Sequence, residues 1–339
     1  MKKYSKFIVL LLMVFLVTSC NQEVSSEVNA EEPLEESSKI EEAVNTNEES
    51  QQSTDDSDES DTPAVHFIDD MGEEFILEEY PEKVISMYSV HTENIYSLGA
   101  QDKLIGVSTS VKYPEEATRL PQYSYRDDPE PVIAADPDVV IIRTMIARRY
   151  GDYVKALKDA GIPVVTLYCS EFSTFDHYIE RLAQIMGAEE ASKDLLANFH
   201  SEIERIQREV KAYDPKNVYF ESIGDKFKTA TPNSFAGKAL EILGTNNIAS
   251  DVVYDGTTTV VEYGQEPLLS KGEQIDFYIA QEGVMNRGVT VESIIKRPGY
   301  DAIKAVQTAD VYVIEGKRIS GATLRYLEGL KELAEVIYE

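Results

Sequence analysis

Two α/β lobes of Rossmann-like type joined by one long α-helix is the fold class this chain predicts. Three observations carry it. Short β-branched runs alternate with helical patterns up to residue 187, an uninterrupted helical stretch fills 188–213, and the alternation restarts after the "DP" at 214–215. Alternation of this kind builds βα units on a parallel sheet.

The first lobe is expected over residues 64–187. "KVISMY" (83–88) is followed by the helical "VHTENIYSLG", and "KLIGV" (103–107) comes next. "PDVVIIR" (137–143) leads into "RRYGDYVKALKDAG", and "IPVVTLY" (162–168) precedes "TFDHYIERLAQIMG". The continuously apolar "VVII" suits a strand covered on both faces. Gly99, Gly161 and Gly187 stand where helices stop. In the stretch 188–213, Leu195, Leu196, Phe199, Ile203, Ile206 and Val210 recur at spacings that put them on one helical face. At 1.5 Å per residue that helix is ~39 Å long. The second lobe, residues 214–339, repeats the scheme with strands "NVYFES", "IDFYIA" and "DVYVIE" between helical segments, and closes on "TLRYLEGLKELAEVIY".

Ahead of the lobes lies an address and a spacer. Lys2, Lys3 and Lys6 precede an apolar run from Phe7 to Val17. That run is too short to cross a bilayer, which needs about 20 residues, and it reads as a secretory signal over residues 1–19. The site "LVTSC" resembles the lipobox of bacterial lipoproteins, which makes Cys20 the lipidated residue and the mature N-terminus. Residues 21–63 hold 15 Asp or Glu, one lysine, eight serines and no aromatic residue. They have too little apolar surface to offset the entropy of ordering, and so are expected to form a disordered tether with a reach of roughly 35–40 Å.

Charge narrows the function. The leader carries +3 and the spacer −14, leaving −18 of the −29 total for residues 64–339. A core this acidic disfavours nucleic-acid binding, which rests on Lys and Arg meeting phosphates. With Cys20 lipidated only Cys169 remains, so no disulfide framework exists, and neither HExxH nor a Walker A loop occurs. No nucleophile–base pairing is visible, so an enzyme is not expected.

Several segments together resemble one known family. "DMGEEFILEEYPEKVISMYSVHTENIYSLGAQDKLIGVSTS", "DPEPVIAADPDVVII", "LKDAGIPVV", "RPGYDAIKAVQTADVYVIEG" and the terminal "LEGLKELAEVIY" are similar to the helical-backbone class of ABC-importer substrate-binding proteins. The resemblance runs from about residue 65 to 339. It implies two lobes on a rigid helix, a ligand cleft between them, and an iron–siderophore, cobalamin or haem ligand. The partners it implies are a permease dimer with its ATPase, served by a monomeric protein with no intrinsic cofactor. A lipid anchor would then leash the protein to the outer face of a Gram-positive-type cell membrane. A surface sensor or adhesion lipoprotein is the alternative from another class.

Family correspondence places the permease-docking acids at Glu130, in "DPEPVIAADPD", and Glu266, in "EYGQEPLLSKGEQIDFYIA". Ligand contacts are expected beyond the carboxyl ends of the strands. On the first lobe these are Tyr88, His91, Tyr125, Arg126, Arg143 and Arg148; on the second, Lys228, Arg287, Arg325 and Tyr326. Arginine's fixed fork suits an anionic ligand, and tyrosine offers flat apolar area with a hydroxyl. An iron(III) chelate of siderophore type is the favoured cargo, with corrinoid and haem behind it. For haem, His91 and Met145 would supply an imidazole and a thioether to the iron; otherwise His91 hydrogen-bonds locally.

Overall fold

The computed structural model describes residues 64–256 and 258–339. The expectations for the leader, Cys20 and the acidic spacer fall outside the described residues. All of the described residues belong to one unit, Glu59–Glu339.

The first lobe opens with an antiparallel hairpin of β1 (Val65–Ile68) and β2 (Glu74–Leu77). Then follow β3 (Val84–Ser86), α1 (Ser89–Ser97), β4 (Leu104–Ser108), β5 (Gln122–Tyr123) and α2 (Glu130–Ala134). The lobe is completed by β6 (Val139–Ile142), α3 (Thr144–Arg149), α4 (Gly151–Asp159), β7 (Val164–Thr166) and α5 (Phe175–Met186). The five inner strands form a parallel sheet in the order β5-β4-β3-β6-β7. Every residue of "VVII" is buried, because helices cover both faces. Val139 and Ile141 face the core shared with α1 and α5, whereas Val140 and Ile142 face the core shared with α4. That is the period-two alternation of a strand.

Gly187 ends α5 in the left-handed conformation (φ 63°), which glycine adopts without a Cβ penalty. The long helix α6 spans Glu189–Val210, 22 residues and ~33 Å. It stops short of Tyr213. Ala212 and Tyr213 turn back to the Glu209 and Val210 carbonyls, and Pro215 disfavours helix at the residue before it. One face, Leu196, Phe199, Ile203, Ile206 and Val210, is buried. The helix packs on α5 of the first lobe and on two helices of the second.

The second lobe runs β8 (Asn217–Glu221), β9 (Lys228–Ala230), α7 (Phe235–Ile242), β10 (Asn246–Asn247), β11 (Val260–Glu262), α8 (Gln265–Ser270) and β12 (Phe277–Glu282). It continues with α9 (Val291–Ile295), α10 (Lys304–Thr308), β13 (Val311–Glu315), α11 (Gly316–Ser320) and α12 (Tyr326–Tyr338). Its main sheet is parallel, in the order β10-β8-β12-β13, and β9 pairs antiparallel with β11.

The lobes share a hydrophobic core. Phe172 and Phe175 from the first lobe, Phe199 from α6, and Phe235 and Tyr326 from the second meet with ring centroids 4.8–6.3 Å apart. Tyr326 is therefore a correction to the expected ligand set. It is fully buried, and its hydroxyl donates to the Phe235 carbonyl at 2.9 Å. Its position on the inner face of α12, with Leu330, Leu333 and Ile337, commits it to packing.

Phe235 is 2% exposed and touches rings from both lobes. Phe235→Ala is expected to lower the unfolding free energy by about 3–5 kcal/mol, the cost of emptying a packed aromatic site. Urea denaturation followed by circular dichroism measures it, and a loss below about 1 kcal/mol would mean that the rings do not hold the lobes.

Candidate ligand-binding site

Strand order locates the site. In the first sheet the order reverses between β3 and β6, and in the second between β8 and β12. Open α/β sheets bind ligands at such reversals, outside the carboxyl ends of the strands. The two carboxyl edges converge on one seam. After β7, Glu171 bridges to Ser234, and the Phe172 amide donates to the Asn233 carbonyl at 3.0 Å. Beyond β4, the Tyr113 ring lies 4.3 Å from the Arg325 guanidinium, and on α1 Asn94 donates to the Ala322 carbonyl at 2.7 Å.

At the first reversal stand Tyr88, two residues past the end of β3 and at the N-cap of α1, and Arg143, directly after β6. The Arg143 guanidinium lies 4.8 Å from the Tyr88 ring centroid and 5.9 Å from that of Tyr168. Its Nε is buried without a hydrogen-bond partner among the described residues. Such stacking stabilises a cation by about 0.5–2 kcal/mol, more as water is excluded. Burial pushes the Tyr88 phenol up to about 12, so it stays a neutral donor. A second aromatic pair lies on the same lobe, with Tyr125 and Tyr150 at 4.7 Å and Arg126 stacked 4.9 Å over Tyr125. Arg148 is exposed on α3, while Met145 is half-buried against the core beneath.

His91 does not face the cleft. It has no exposed surface, its Nδ1 pairs with the Tyr178 hydroxyl at 2.7 Å, and its Nε2 lies 3.3 Å from the Ile142 carbonyl. Burial holds its pKa down at about 3. With both nitrogens engaged and the ring neutral, the proposed pairing of His91 with Met145 on haem iron loses its geometry. Local hydrogen bonding, the other reading of this residue, is what the fold uses.

The second lobe corrects the expectation for Arg325. Its side chain is 13% exposed and is claimed by carboxylates, Glu315 at 2.7 Å, Glu93 at 3.7 Å and Glu328 at 3.8 Å. Lys317 faces the same Glu93 at 3.9 Å. These cations neutralise acids within the seam. Lys228 stands opposite Glu262 in the β9–β11 ladder. Arg287 is exposed in the loop after β12. Cys169 is buried, with its thiol 3.3 Å from the Glu171 carbonyl and burial raising its pKa to about 12, so it is a poor nucleophile. Among the described residues no three His, Cys, Asp or Glu side chains are grouped to hold a metal ion.

Sequence reasoning missed Tyr168, Tyr150, Tyr113 and Glu93. Tyr168 was legible as the final residue of a strand run. Glu93 was not, because an acid in "HTENIY" looks like any solvated helix residue. Glu130 and Glu266 are both exposed in the first turns of the short helices α2 and α8, one on each lobe.

A family model described as "Periplasmic binding protein" matches residues 84–317. The chain is 29% identical over 278 residues to the uncharacterized ABC transporter substrate-binding lipoprotein YvrC of Bacillus subtilis, covering 80% of this chain and 85% of that one. It is 23% identical over 256 residues to the vitamin B12-binding protein of Vibrio campbellii, covering 75% and 88%. A solved structure, that of a possible iron-binding (periplasmic solute-binding) protein from Staphylococcus epidermidis, superposes with a TM-score of 0.66 at 25% identity. That match spans 77% of this chain and all of the other.

Glu93 gives the seam a pH dependence. Burial pushes its carboxyl from 4.5 up to about 7, against the pull of Lys317 and Arg325. An acid whose pKa rises on folding favours the folded state below its unfolded value, and this contribution is lost as pH climbs through the folded one. The stability of the wild type relative to Glu93→Gln should therefore fall between about pH 4.5 and 7 and level off above. Thermal melts of both proteins across that range test it; a difference independent of pH would mean that the Glu93 carboxyl titrates as it does in water.

Proposed function

The chain belongs to the periplasmic binding protein family, and from that premise we propose that it is the substrate-binding subunit of an ABC importer whose cargo is a flat metal chelate, a corrinoid before a ferric siderophore. Members of the family bind solutes and do not transform them. The observation that carries the reading is the tyrosine face at the first strand reversal, where Tyr88 and Tyr168 flank Arg143. Rings of this kind supply flat apolar area with hydrogen-bonding rims, suited to a macrocycle that is large, planar and weakly charged.

The cation inventory moves the balance away from the siderophore favoured on sequence alone. Arg325 is paired with Glu315 at 2.7 Å within the seam, and the charge free to meet a strongly anionic chelate is correspondingly smaller. The similarity to a vitamin B12-binding protein points the same way. Arg143 sustains the second reading. Its unpartnered Nε, with the exposed Arg126 and Arg148 of the same lobe, could meet the carboxylates or catecholates of a ferric siderophore. Haem stands behind both because His91 is internal.

We place the protein on the extracytoplasmic face of the membrane, anchored through Cys20 and the acidic spacer, with a permease dimer and its ATPase as partners. Glu130 and Glu266 are the docking acids in this proposal, two exposed carboxylates set on opposite lobes to meet permease arginines. Charges arranged this way govern approach and register more than affinity.

Calorimetric titration with cyanocobalamin and with a ferric tris-catecholate, which carries three negative charges, separates the two cargoes. For an anionic chelate, Arg143→Ala should weaken binding at least about thirtyfold, since breaking a buried charge pair costs ~2–5 kcal/mol. For a corrinoid the loss should stay below about tenfold. A wild type that binds neither would remove the chelate reading.

The docking acids have their own test. The double variant Glu130→Ala with Glu266→Ala should keep the wild-type Kd while cellular uptake of the ligand falls; normal uptake would remove the docking assignment.

A further inference from the structure

The second strand reversal carries a feature that the binding reading has not used. The loop after β12 presents two apolar side chains to solvent, Val284 at 86% and Met285 at 47% exposure. Its next residue does the opposite. Asn286 is only 9% exposed; its Nδ2 donates to Glu221 at 2.8 Å, and its Oδ1 accepts the Gly224 amide at 3.1 Å. Both contacts lie at the end of β8, the strand beside β12 at the reversal.

The anchor is built from the core outward. Glu221 is 1% exposed and accepts from the Arg297 guanidinium and the Tyr278 hydroxyl as well as from Asn286. A buried carboxylate with this many donors is held in one place. Gly224 belongs to the same arrangement: a Cβ there would come within 2.6 Å of both Arg297 and a Glu221 oxygen. The backbone after β8 therefore lies directly against the charge pair, and Asn286 ties the loop after β12 to it. Two exposed apolar side chains on an anchored loop differ from a loose surface loop, because their ordering entropy is already spent before a ligand arrives.

Position completes the argument. The carboxyl edge of this sheet is the edge that meets the first lobe, through residues 317–325 after β13. The loop after β12 stands on that same edge, next to β13 in the sheet.

We propose that residues 283–288 form a fixed apolar lip on the second lobe that contacts the outer face of the chelate lying on the Tyr88–Tyr168 face, with Asn286 as its positioning residue. This rests on the chelate-binding reading above and deepens it by naming the second-lobe contact. The lip selects for apolar surface on the cargo: it favours the hydrocarbon periphery of a corrinoid over the hydrated shell of a highly charged chelate.

The test uses the full-length chain in detergent, titrated calorimetrically with cyanocobalamin and with a ferric tris-catecholate chelate. Val284→Ser with Met285→Ser should weaken binding of whichever chelate the wild type takes at least about tenfold, with a thermal midpoint lowered by only a few degrees because both side chains lie at the surface. Asn286→Ala should also weaken binding. Combining all three substitutions should add less than a further twofold or so, since Asn286 acts through the two residues already removed. The lip is overturned if the serine double variant binds like wild type, or if the Asn286→Ala loss multiplies in full on top of it. Failure of the corrinoid reading is seen separately, in a wild type that prefers the ferric chelate.

Discussion

Five rings, Phe172, Phe175, Phe199, Phe235 and Tyr326, make the two lobes and the connecting helix one hydrophobic body, and every other feature of the protein is placed by that contact. Each ring buries a large apolar area, and offset or edge-to-face pairs contribute about 0.5–1.5 kcal/mol beyond it. The rings come from segments as far apart as residues 172 and 326, so the knot fixes the lobes relative to each other through one packed cluster. The strand reversals of both sheets then sit on the two sides of a common seam. Tyr326 illustrates the consequence: a residue that could have met ligand is taken up by the contact that creates the cleft.

Beside the rings the seam is polar and loosely satisfied. Glu93, Lys317 and Arg325 face one another at 3.7–3.9 Å, beyond hydrogen-bonding distance, and both Glu93 oxygens lack hydrogen-bond partners among the described residues. Aromatic packing supplies cohesion here, and the charges supply alignment at a desolvation cost.

The fold was largely legible in the sequence and the site was legible in part. The runs 83–88, 137–143 and 162–168 announced β3, β6 and β7 because β-branched residues in unbroken apolar runs have few other homes. Tyr88 and Arg143 were chosen as candidates by the same logic, since each stands where a strand run gives way to a helical one. Arg325 and His91 were misassigned for one reason. Their side chains are of the types that bind ligands, and only burial and neighbours distinguish a ligand contact from an internal one. Glu93 was overlooked for the converse reason: a common polar residue becomes special only when distant segments close around it.

The lobes, the long helix between them, the acidic balance and the order in which strands meet helices were readable along the chain, because each of these follows from local periodicity or from composition. Which cations face acids, which tyrosines stack on Arg143 and which histidine is sealed in the core emerge only when the chain packs. Those outcomes depend on pairs such as Glu93 with Arg325 and His91 with Tyr178, more than 80 residues apart in the chain. Distance and burial between such residues are properties of the packed molecule, and neither periodicity nor composition encodes them.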